Sequence, residues 1–277
     1  MKNKFALLLS FLTFILVQSQ TKRFYYQVEF YKDEKREIKA KDLVVLDINK
    51  EHNLFYSNKY LVTDSINEKS PQKIFPYPKF LDEVKWNKNK ENFTFYKQTD
   101  AVSFFTFDHK VEIKWKLQND KKTIEGFEVQ KATAEYGGRK WVAWFAKDIP
   151  LPYGPYVFYG LPGLVLEIYD EINNDYHFKF VGNKNLDNDT DASKIISKYK
   201  FGKATNIKKK DWKKLQISHY KKPLPINTSE VEFKMTHDDG KDFTAQDYRN
   251  REEELKAYIK KYNNPIELNE KIDYEKL

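Results

Sequence analysis

Cysteine is absent from this chain of 277 residues. Its absence excludes disulfide bonds, thiolate metal sites and a catalytic cysteine, so the fold must be held by its own core. Histidine is scarce as well, and no two histidines have the i, i+4 spacing that sets two imidazoles on one helical face for zinc. The five histidines are His52, His109, His177, His219 and His237. The sequence therefore predicts neither a metal ion nor a cofactor.

Other catalytic and binding motifs are missing too. No serine lies in the G-x-S-x-G pattern of an α/β-hydrolase. Residues 160–163 lack the Lys-Ser/Thr pair of a phosphate-binding loop, and Pro162 has no N–H to donate. The acidic run 187–191 fails the calcium-loop template, because Ala192 replaces the turn glycine and Lys198 replaces the bidentate glutamate. Nucleotide and calcium binding are therefore not predicted.

Long apolar runs are confined to the N-terminus. Lysines within the first four residues precede the apolar run from Phe5 to Val17, and small and polar residues follow it. This pattern predicts a signal peptide over residues 1–19, cleaved between Ser19 and Gln20. The run is too short for a bilayer crossing, which takes about 20 apolar residues. We therefore expect export to the periplasm or beyond, no transmembrane anchor after cleavage, and a single domain over residues 20–277.

The formal net charge is +8, and lysines and arginines are spread through the chain among aspartates and glutamates. Interspersed charges of both signs are typical of a solvated surface rather than of a patch that binds polyanions. We therefore expect no nucleic-acid partner.

Much of the chain has the composition of β-strands. Aromatic and β-branched residues dominate Phe24–Tyr31, Leu43–Ile48 and Asn53–Val62, and such residues fit a pleated, half-buried surface. From Val111 to Leu117 apolar and charged residues alternate, which predicts a strand with one buried and one solvated face. The polar stretch Asp64–Lys73 predicts a long connection between strands.

Turn residues predict two hairpins. Gly137-Gly138 suits a tight turn with positive φ between strands Phe127–Tyr136 and Arg139–Phe145. A second hairpin is predicted over residues 164–181, turned at Asn173-Asn174-Asp175. The middle of the chain is therefore predicted to be an antiparallel meander.

Helical signals are concentrated near the C-terminus. Apolar residues recur at helical intervals over Ala245–Tyr262, Thr244 is placed as an N-cap and Asp247 has the capping-box spacing. Residues 207–217 predict a shorter helix, and residues 231–235 a last strand. Because strands and helices do not alternate along the chain, the sequence predicts a mainly β fold: a curved antiparallel sheet or open barrel with the C-terminal helix packed on it.

The stretch Trp141–Asp170 is rich in aromatic residues, proline and glycine, and it contains no evident catalytic group. Proline fixes φ and glycine frees it, so the backbone path here is tightly prescribed. Two interpretations remain open: the rings fold back as core, or they form a recognition surface for a ligand or partner. The candidate binding residues are Arg139, Trp141, Trp144, Tyr153, Tyr156, Tyr159, Gly160, Pro162 and Gly163.

A set of short motifs runs through the same region: Gly126-Phe127, Gln130-Lys131-Ala132-Thr133, Gly138-Arg139, Ala143-Trp144-Phe145, Gly154-Pro155 and Gly160-Leu161-Pro162-Gly163-Leu164-Val165. Together they resemble the GLPGLI family of exported Bacteroidota proteins, with Val165 where isoleucine is usual. Weaker similarity at residues 53–57 and 264–268 extends the resemblance over most of the mature chain. Val129 stands where many relatives carry a cysteine, so no role of that thiol applies here.

The resemblance implies an exported protein without an established activity. Genes of this family often accompany genes for outer-membrane transporters, so the resemblance implies an outer-membrane or periplasmic protein partner. Since no catalytic set is visible, we predict a non-enzymatic binding or envelope-assembly protein that uses the surface around Trp144, Tyr153, Tyr156 and Gly160.

Two alternatives to a binding protein remain. The first is a hydrolase that uses Asp148, Glu167 or Asp170, with Arg139 as an electrostatic partner. The second is a periplasmic carrier that encloses an apolar ligand within the curved sheet.

Overall fold

The computed structural model describes residues 21–100, 102–186, 191–200, 203–224 and 234–277. Within these residues the chain forms one open, mainly antiparallel sheet of 12 strands. The strands are β1 Lys22–Tyr31, β2 Lys39–Ile48, β3 His52–Ser57, β4 Glu83–Asn87, β5 Asn92–Gln98, β6 Phe104–His109, β7 Lys116–Ile124, β8 Phe127–Tyr136, β9 Arg139–Ala146, β10 Leu164–Asp170, β11 Tyr176–Asn185 and β12 Thr205–Asn206. The helices are α1 Lys59–Lys69, α2 Ala192–Ser197, α3 Lys209–Lys221 and α4 Ala245–Lys261. The predicted mainly β class, with an open sheet and a C-terminal helix, is confirmed.

The sheet consists of two antiparallel meanders placed side by side. Strands β1 to β6 follow one another in one direction, and strands β11 to β7 follow in the other. The meanders are joined because β1 pairs antiparallel with β11, from Lys22 opposite Asn185 to Phe30 opposite Tyr176. Strand β12 adds parallel to β6 at one edge. The pairing of two strands that are distant in sequence therefore makes one sheet of the two meanders.

One face of the sheet, here the inner face, carries the main hydrophobic core. On β1 it presents Phe24, Tyr26, Val28 and Phe30, which alternate with side chains that are mostly less buried. A strand with every second side chain apolar buries one face, and each fully buried side chain of this size contributes about 1.5–3 kcal/mol. The inner face is covered by α3 and by the connections that precede β7 and β10.

The opposite face, here the outer face, is covered over β1 to β3 by α1 and α2. These helices pack on Val45, Leu54 and Tyr56. Beneath them Arg23 donates two hydrogen bonds of 2.7 Å to the carboxylate of Asp47, and the hydroxyl of Tyr56 donates a third at 2.8 Å. This buried ion pair is therefore hydrogen-bonded from both sides, as burial of charge requires.

Both predicted hairpins are confirmed. β8 and β9 pair across Gly137-Gly138, whose φ angles are +62° and +80°. Glycine adopts such angles without strain, which explains the pair of glycines in this turn. β10 and β11 pair antiparallel across a turn in which Asn174 has a φ of +51°.

The prediction for residues 53–62 is wrong in its second half. β3 ends at Ser57, and α1 begins at Lys59 and continues to Lys69, through most of the stretch predicted as a polar connection. Its buried side chains, Thr63, Asp64 and Asn67, are polar, so the helical period of apolar residues that would have revealed it is missing.

The strand predicted at residues 111–117 is also wrong, because β7 begins only at Lys116. Val111, Ile113 and Trp115 nevertheless pack against the core. Extended backbone alternates its side chains whether or not it pairs in a sheet, so the alternation correctly marked burial but not strand pairing.

The helix predicted at the C-terminal end is confirmed as α4. The side chain of Thr244 accepts from the N–H of Asp247, and the carboxylate of Asp247 accepts from the N–H of Thr244. The shorter predicted helix is confirmed as α3, with Trp212 buried. Residues 231–233 of the predicted last strand lie outside the described residues, as does the predicted signal peptide with Ser19 and Gln20.

Candidate functional site

The segment 147–163, here the GLPGL loop, connects β9 to β10 and packs over the inner face. Tyr156, Phe158 and Leu161 project from it into the core and are at most 3% exposed. A buried aromatic side chain removes about 150–250 Å² from water, so the loop contributes substantially to the core. The sequence left open whether the rings form core or a recognition surface. For Tyr156, Phe158 and Leu161 the answer is core.

Two glycines fit the GLPGL loop to the sheet. A Cβ on Gly163 would lie 2.1 Å from the carbonyl oxygen of Ala146, far inside van der Waals contact. Gly160 has a φ of +92°, which residues with a Cβ rarely adopt. Pro162, between them, is exposed and fixes φ. Backbone geometry therefore accounts for these candidate residues without a ligand.

Tyr153 and Tyr159 lie at the rim of the GLPGL loop and are partly buried. Their ring centroids lie 5.0 and 4.9 Å from that of Trp86 on β4. The hydroxyl of Tyr159 donates to the carbonyl oxygen of Val111 at 2.7 Å, and the ammonium of Lys88 lies 5.2 Å from the ring centroid of Tyr153. These contacts tie the loop to the first meander.

Arg139, the first residue of β9, is the most connected buried cation of the site, with a side chain that is 1% exposed. Its Nη1 donates to Asp170 at 2.8 Å and to Asp175 at 2.9 Å. Its Nη2 donates to Oδ1 of Asn264 at 2.6 Å, and its Nε donates to the carbonyl oxygen of Ile266 at 3.0 Å. A buried guanidinium is tolerated only when it is paired and hydrogen-bonded in this way. Arg139 therefore fastens the chain end to the sheet.

Residues 263–274, here the C-terminal strap, are fixed to the same region by Glu267. This carboxylate accepts from the hydroxyl of Tyr136 at 2.9 Å and from that of Tyr156 at 2.7 Å. Burial and the charge of Glu267 raise the pKa of both tyrosines, which therefore stay neutral donors. A Cβ on Gly137 would lie 3.0 Å from the Cα of Glu267, so the hairpin glycine also makes room for the strap. Glu267 thus joins the GLPGL loop, the hairpin and the strap.

A groove of about 310 Å³, here the aromatic groove, lies between the inner face, α3, α4 and the C-terminal strap. Its volume is within the range typical of small-molecule sites. Gln216 of α3 also lines it, and the buried amide nitrogen of Gln216 has no hydrogen-bond partner among the described residues. The aromatic walls are Phe30, Phe80, Tyr176, Trp212, Tyr258 and Tyr262.

Two carboxylates line the aromatic groove and share one lysine. The ammonium of Lys97 lies 2.6 Å from Asp82 and 3.8 Å from Glu270. Burial raises the pKa of Glu270, against the effect of Lys97, and Glu267 adds to the rise. Burial alone would lower the pKa of Lys97, but Asp82 and Glu270 outweigh it and raise that pKa. Lys97 is therefore charged and holds the two carboxylates near each other.

Sequence reasoning missed the aromatic groove and its charged cluster. Asp82, Lys97, Gln216 and Glu270 come from four separate parts of the chain, and none lies in a motif. The one sequence signal near the groove was the similarity of residues 264–268 to the C-terminal ending of GLPGLI proteins. It marked the C-terminal strap but did not indicate that the strap lines a groove.

Trp144 is the candidate ring that lies on the outer face, where it is partly buried. The ammonium of Lys122 lies 4.3 Å from its ring centroid and also pairs with Glu167. His177 approaches Glu167 at 2.8 Å. The buried indole nitrogen of Trp144 has no hydrogen-bond partner within the described ranges. Trp144 therefore does not lie together with Tyr156, which faces the core from the opposite side of the sheet.

Acid is expected to weaken the cluster of Glu167, His177 and Lys122. Burial would raise the pKa of Glu167, but hydrogen bonds from His177 and Lys122 outweigh it and lower that pKa from 4.5 to about 2. Because the folded pKa lies below the unfolded one, the stabilisation is complete above about pH 4.5 and is lost as the pH falls towards 2. Glu167→Gln should therefore destabilise the protein at neutral pH and progressively less on acidification. Denaturant unfolding at a series of pH values measures this, and a difference that stays constant down to about pH 3 would contradict it.

The carboxylates considered for a hydrolase do not converge. Asp170 faces Arg139 in the core, whereas Glu167, three residues earlier on β10, faces the outer cluster. Residues an odd number of positions apart on a strand point to opposite faces of the sheet. Asp148 is exposed in the turn that follows β9. These three residues therefore cannot act together in one pocket.

The described residues include neither a metal-binding cluster nor a helix that could span a membrane. No group of three or more histidine, aspartate or glutamate side chains there is arranged to hold a metal ion. Nor does that part of the chain contain a helix with the length and apolar character of a bilayer crossing.

Residues 138–167 match the model of a family described as a protein of unknown function, Porph_ging. The matched segment contains Arg139, β9, the GLPGL loop and the first part of β10. The family model therefore coincides with the segment whose Gly, Pro and aromatic residues organise the inner face. The curated proteins include no match to the chain.

Solved structures of PNGF-II share the fold of most of the chain. Those in the C2 and P21 space groups each superpose with a TM-score of 0.51 at 16% identity and cover 72% of this chain. The chain spans about a third of the length of these PNGF-II chains, 33% and 34% respectively. At this identity the similarity concerns the fold alone. The chain is thus similar over one segment to a family of unknown function, and in fold to part of PNGF-II.

Proposed function

We propose that the protein is an exported, non-enzymatic binding protein of GLPGLI type whose ligand site is the aromatic groove. Export to the periplasm or beyond is supported by the signal-peptide pattern of residues 1–19, and the GLPGLI type by the motifs around residues 160–165. The groove itself carries the proposal, because it combines aromatic walls with the buried amide nitrogen of Gln216, which has no partner among the described residues.

The chemistry of the aromatic groove favours a ligand with a flat apolar part and a hydrogen-bond acceptor. A buried donor without a partner costs about 1–3 kcal/mol, and a ligand acceptor at Gln216 would restore that energy. The rings of Tyr258 on α4 and of Tyr262 directly after α4, whose centroids are 4.2 Å apart, offer apolar contact area. The groove therefore offers both apolar contact and a hydrogen-bond donor.

In this proposal the GLPGL loop holds the C-terminal strap in place and does not itself form the ligand site. Tyr156 of the loop holds Glu267, and Glu267 lies in the strap whose Asn264 and Pro265 line the groove. The loop also fills the inner face, where a carrier of the predicted kind would enclose its apolar ligand. The proposed ligand site is therefore the aromatic groove and not a cavity enclosed by the sheet.

Removing two rings of the aromatic groove is expected to abolish ligand retention. Tyr258 is 55% exposed, so Tyr258→Ala with Tyr262→Ala should leave the fold intact while it removes one wall. Gln216→Leu should weaken retention at least about tenfold through loss of the hydrogen bond to its amide nitrogen. Native mass spectrometry of protein incubated with envelope extract measures the bound small molecule for each variant.

Trp144→Ala is the matched control, because it removes an aromatic ring from the opposite face of the sheet. We expect it to retain the ligand of the wild type. Loss of the ligand in Trp144→Ala with retention in the groove variants would contradict the groove proposal and support recognition by the outer face. A pull-down from the same extract tests the further proposal that an outer-membrane or periplasmic protein binds at Trp144.

A carboxylate-dependent hydrolase is the second candidate, favoured by one observation. Asp82 and Glu270 line the same groove, share Lys97, and differ in environment so that burial raises the pKa of Glu270. A carboxyl group with a raised pKa beside a second carboxyl group is an arrangement suited to general acid and base roles. A larger, uncleaved molecule on Glu270→Gln than on the wild type would establish hydrolysis, whereas equal masses would support binding alone.

A further inference from the structure

α1 and the loop that follows it carry a cluster of exposed apolar side chains, here the apolar patch. Val62 and Ile66 lie one turn apart on α1 and are 43% and 45% exposed, while the residues that follow them, Thr63 and Asn67, are buried. Exposed apolar residues that gather in one place mark an interaction site. The remaining members of the patch, from the loop, are Ile74, Phe75 and Tyr77.

The loop part of the apolar patch is held against α1 by Asn67. The side chain of Asn67 donates to the carbonyl oxygen of Ile74 at 2.9 Å and accepts from the N–H of Ile74 at 2.9 Å. The ammonium of Lys73 donates to the carbonyl oxygen of Asn67 at 2.5 Å. Prolines on both sides of Tyr77, which is 81% exposed, fix φ there. The helix and loop therefore present their apolar residues together.

Lysines surround the apolar patch. Lys59 and Lys69 lie on the same stripe of α1 as Val62 and Ile66, because consecutive members of this set are three or four residues apart. Asp64 accepts from the ammonium of Lys198 at 3.0 Å, so its charge is already paired, and Glu68 is the other acidic residue of the segment 59–79. The surrounding lysines are Lys59, Lys69, Lys73 and Lys79.

A cleft of about 300 Å³, here the lysine cleft, opens beside the apolar patch at Val62. Asp42 also borders it, but the carboxylate of Asp42 accepts from the hydroxyl of Ser57 at 3.1 Å and from three backbone N–H groups at 2.9, 2.9 and 3.1 Å. The acid is thereby occupied with structural bonds. Lys41 already pairs with Glu29 at 3.9 Å, so Lys59 and Lys79 are the cleft lysines that would contact an anion. The polar side chains that line the cleft are Gln27, Lys41, Asn58, Lys59 and Lys79.

We propose that the apolar patch and the lysine cleft dock the protein on an anionic lipid bilayer. The patch would enter the boundary between headgroups and acyl chains, and the phosphate of a lipid headgroup would occupy the lysine cleft. A small apolar centre with a basic surround is the pattern of interfacial membrane binding, in which lysine stems lie on apolar surface and their ammonium groups reach the headgroups. α1 packs on the outer face, and Lys79, at the end of the loop, lines both the lysine cleft and the aromatic groove.

Vesicle co-sedimentation of the full mature chain tests the proposal. We expect the wild type to sediment with phosphatidylcholine vesicles that contain phosphatidylglycerol and much less with phosphatidylcholine alone. Lys59→Glu with Lys79→Glu should lower partition into anionic vesicles at least about tenfold, since each basic residue near the surface adds to the attraction. Ile74→Ser with Tyr77→Ser should lower it through loss of the apolar contact, at unchanged net charge.

Matched controls change the same residue types elsewhere. Ile172→Ser removes an exposed apolar side chain from the turn between β10 and β11, and Lys241→Glu reverses an exposed charge before α4. Both should partition like the wild type. The proposal is overturned if the wild type ignores anionic vesicles, if the controls lose as much as the patch variants, or if the patch cross-links to an envelope protein but not to protein-free vesicles.

Discussion

Replacing Arg139 by methionine is expected to lower the free energy of unfolding by about 3–5 kcal/mol, because it leaves buried charges without their partner. Arg139 is the ion-pair partner of both Asp170 and Asp175, at 2.8 and 2.9 Å, and all three side chains are at most 8% exposed. Methionine preserves most of the side-chain volume, so the loss reports the charge and the hydrogen bonds. Equilibrium unfolding in urea measures it.

Arg36→Met is the matched control for Arg139→Met. Arg36 also approaches Asp175, at 3.4 Å, but its side chain is 44% exposed. An exposed ion pair contributes at most about 1 kcal/mol, so this variant should stay close to the wild type. The double variant Arg139→Met with Asp170→Asn should recover part of the loss, since it removes one of the unpaired charges. Equal effects of the two arginine substitutions would refute the role given to Arg139.

The parts of the fold that sequence reasoning predicted well are those specified by local chemistry. The Gly137-Gly138 turn, the turn at Asn174 and the capping box of Thr244 with Asp247 each depend on residues within a few positions of one another. Such signals act through φ preferences and short-range hydrogen bonds, which the sequence shows directly. They therefore predicted elements and their ends correctly.

The parts that were missed depend on contacts between distant residues. α1 follows β3 with polar buried positions, so its helical face cannot be told from a polar connection by hydropathy. The carboxylate of Glu267 is stabilised by Tyr136 and Tyr156, 131 and 111 residues away. No periodicity or motif marks such a partner, because the side chains become neighbours only when the sheet and the strap are assembled.

The candidate site shows the same division. Proline and glycine correctly indicated a prescribed backbone in the GLPGL loop, and the density of rings correctly indicated apolar contact. The direction of each ring was not predictable: Trp144 lies beside Lys122 on the outer face and is only partly buried against the main cluster, whereas Trp141, three residues before it, is buried within that cluster. The alternation of faces in β9 separates the candidates, and it becomes informative only once the strand and its register are known.

Gly163→Ala is expected to be the most disruptive single methyl addition in the GLPGL loop. Its Cβ would lie 2.1 Å from the carbonyl oxygen of Ala146 and 2.6 Å from the carbonyl carbon, which are backbone atoms in the last residue of β9. Backbone cannot turn aside as a flexible side chain can, so either β9 or the loop must move. We expect a loss of at least about 3 kcal/mol, at the upper end of the cost of overpacking a core.

Gly240→Ala separates this steric effect from the general cost of replacing a glycine. Gly240 has a φ of +82°, and an added Cβ there would meet nothing within 4 Å. Only the strain of a left-handed conformation remains, which costs about 1–2 kcal/mol. Urea unfolding should therefore rank Gly163→Ala well below Gly240→Ala in stability, and the reverse order would show that the loop is not tightly fitted to the sheet.

Because Tyr156 of that loop holds Glu267 in the strap, Gly163→Ala that still folds should also lose the ligand of the aromatic groove, whereas Gly240→Ala should keep it.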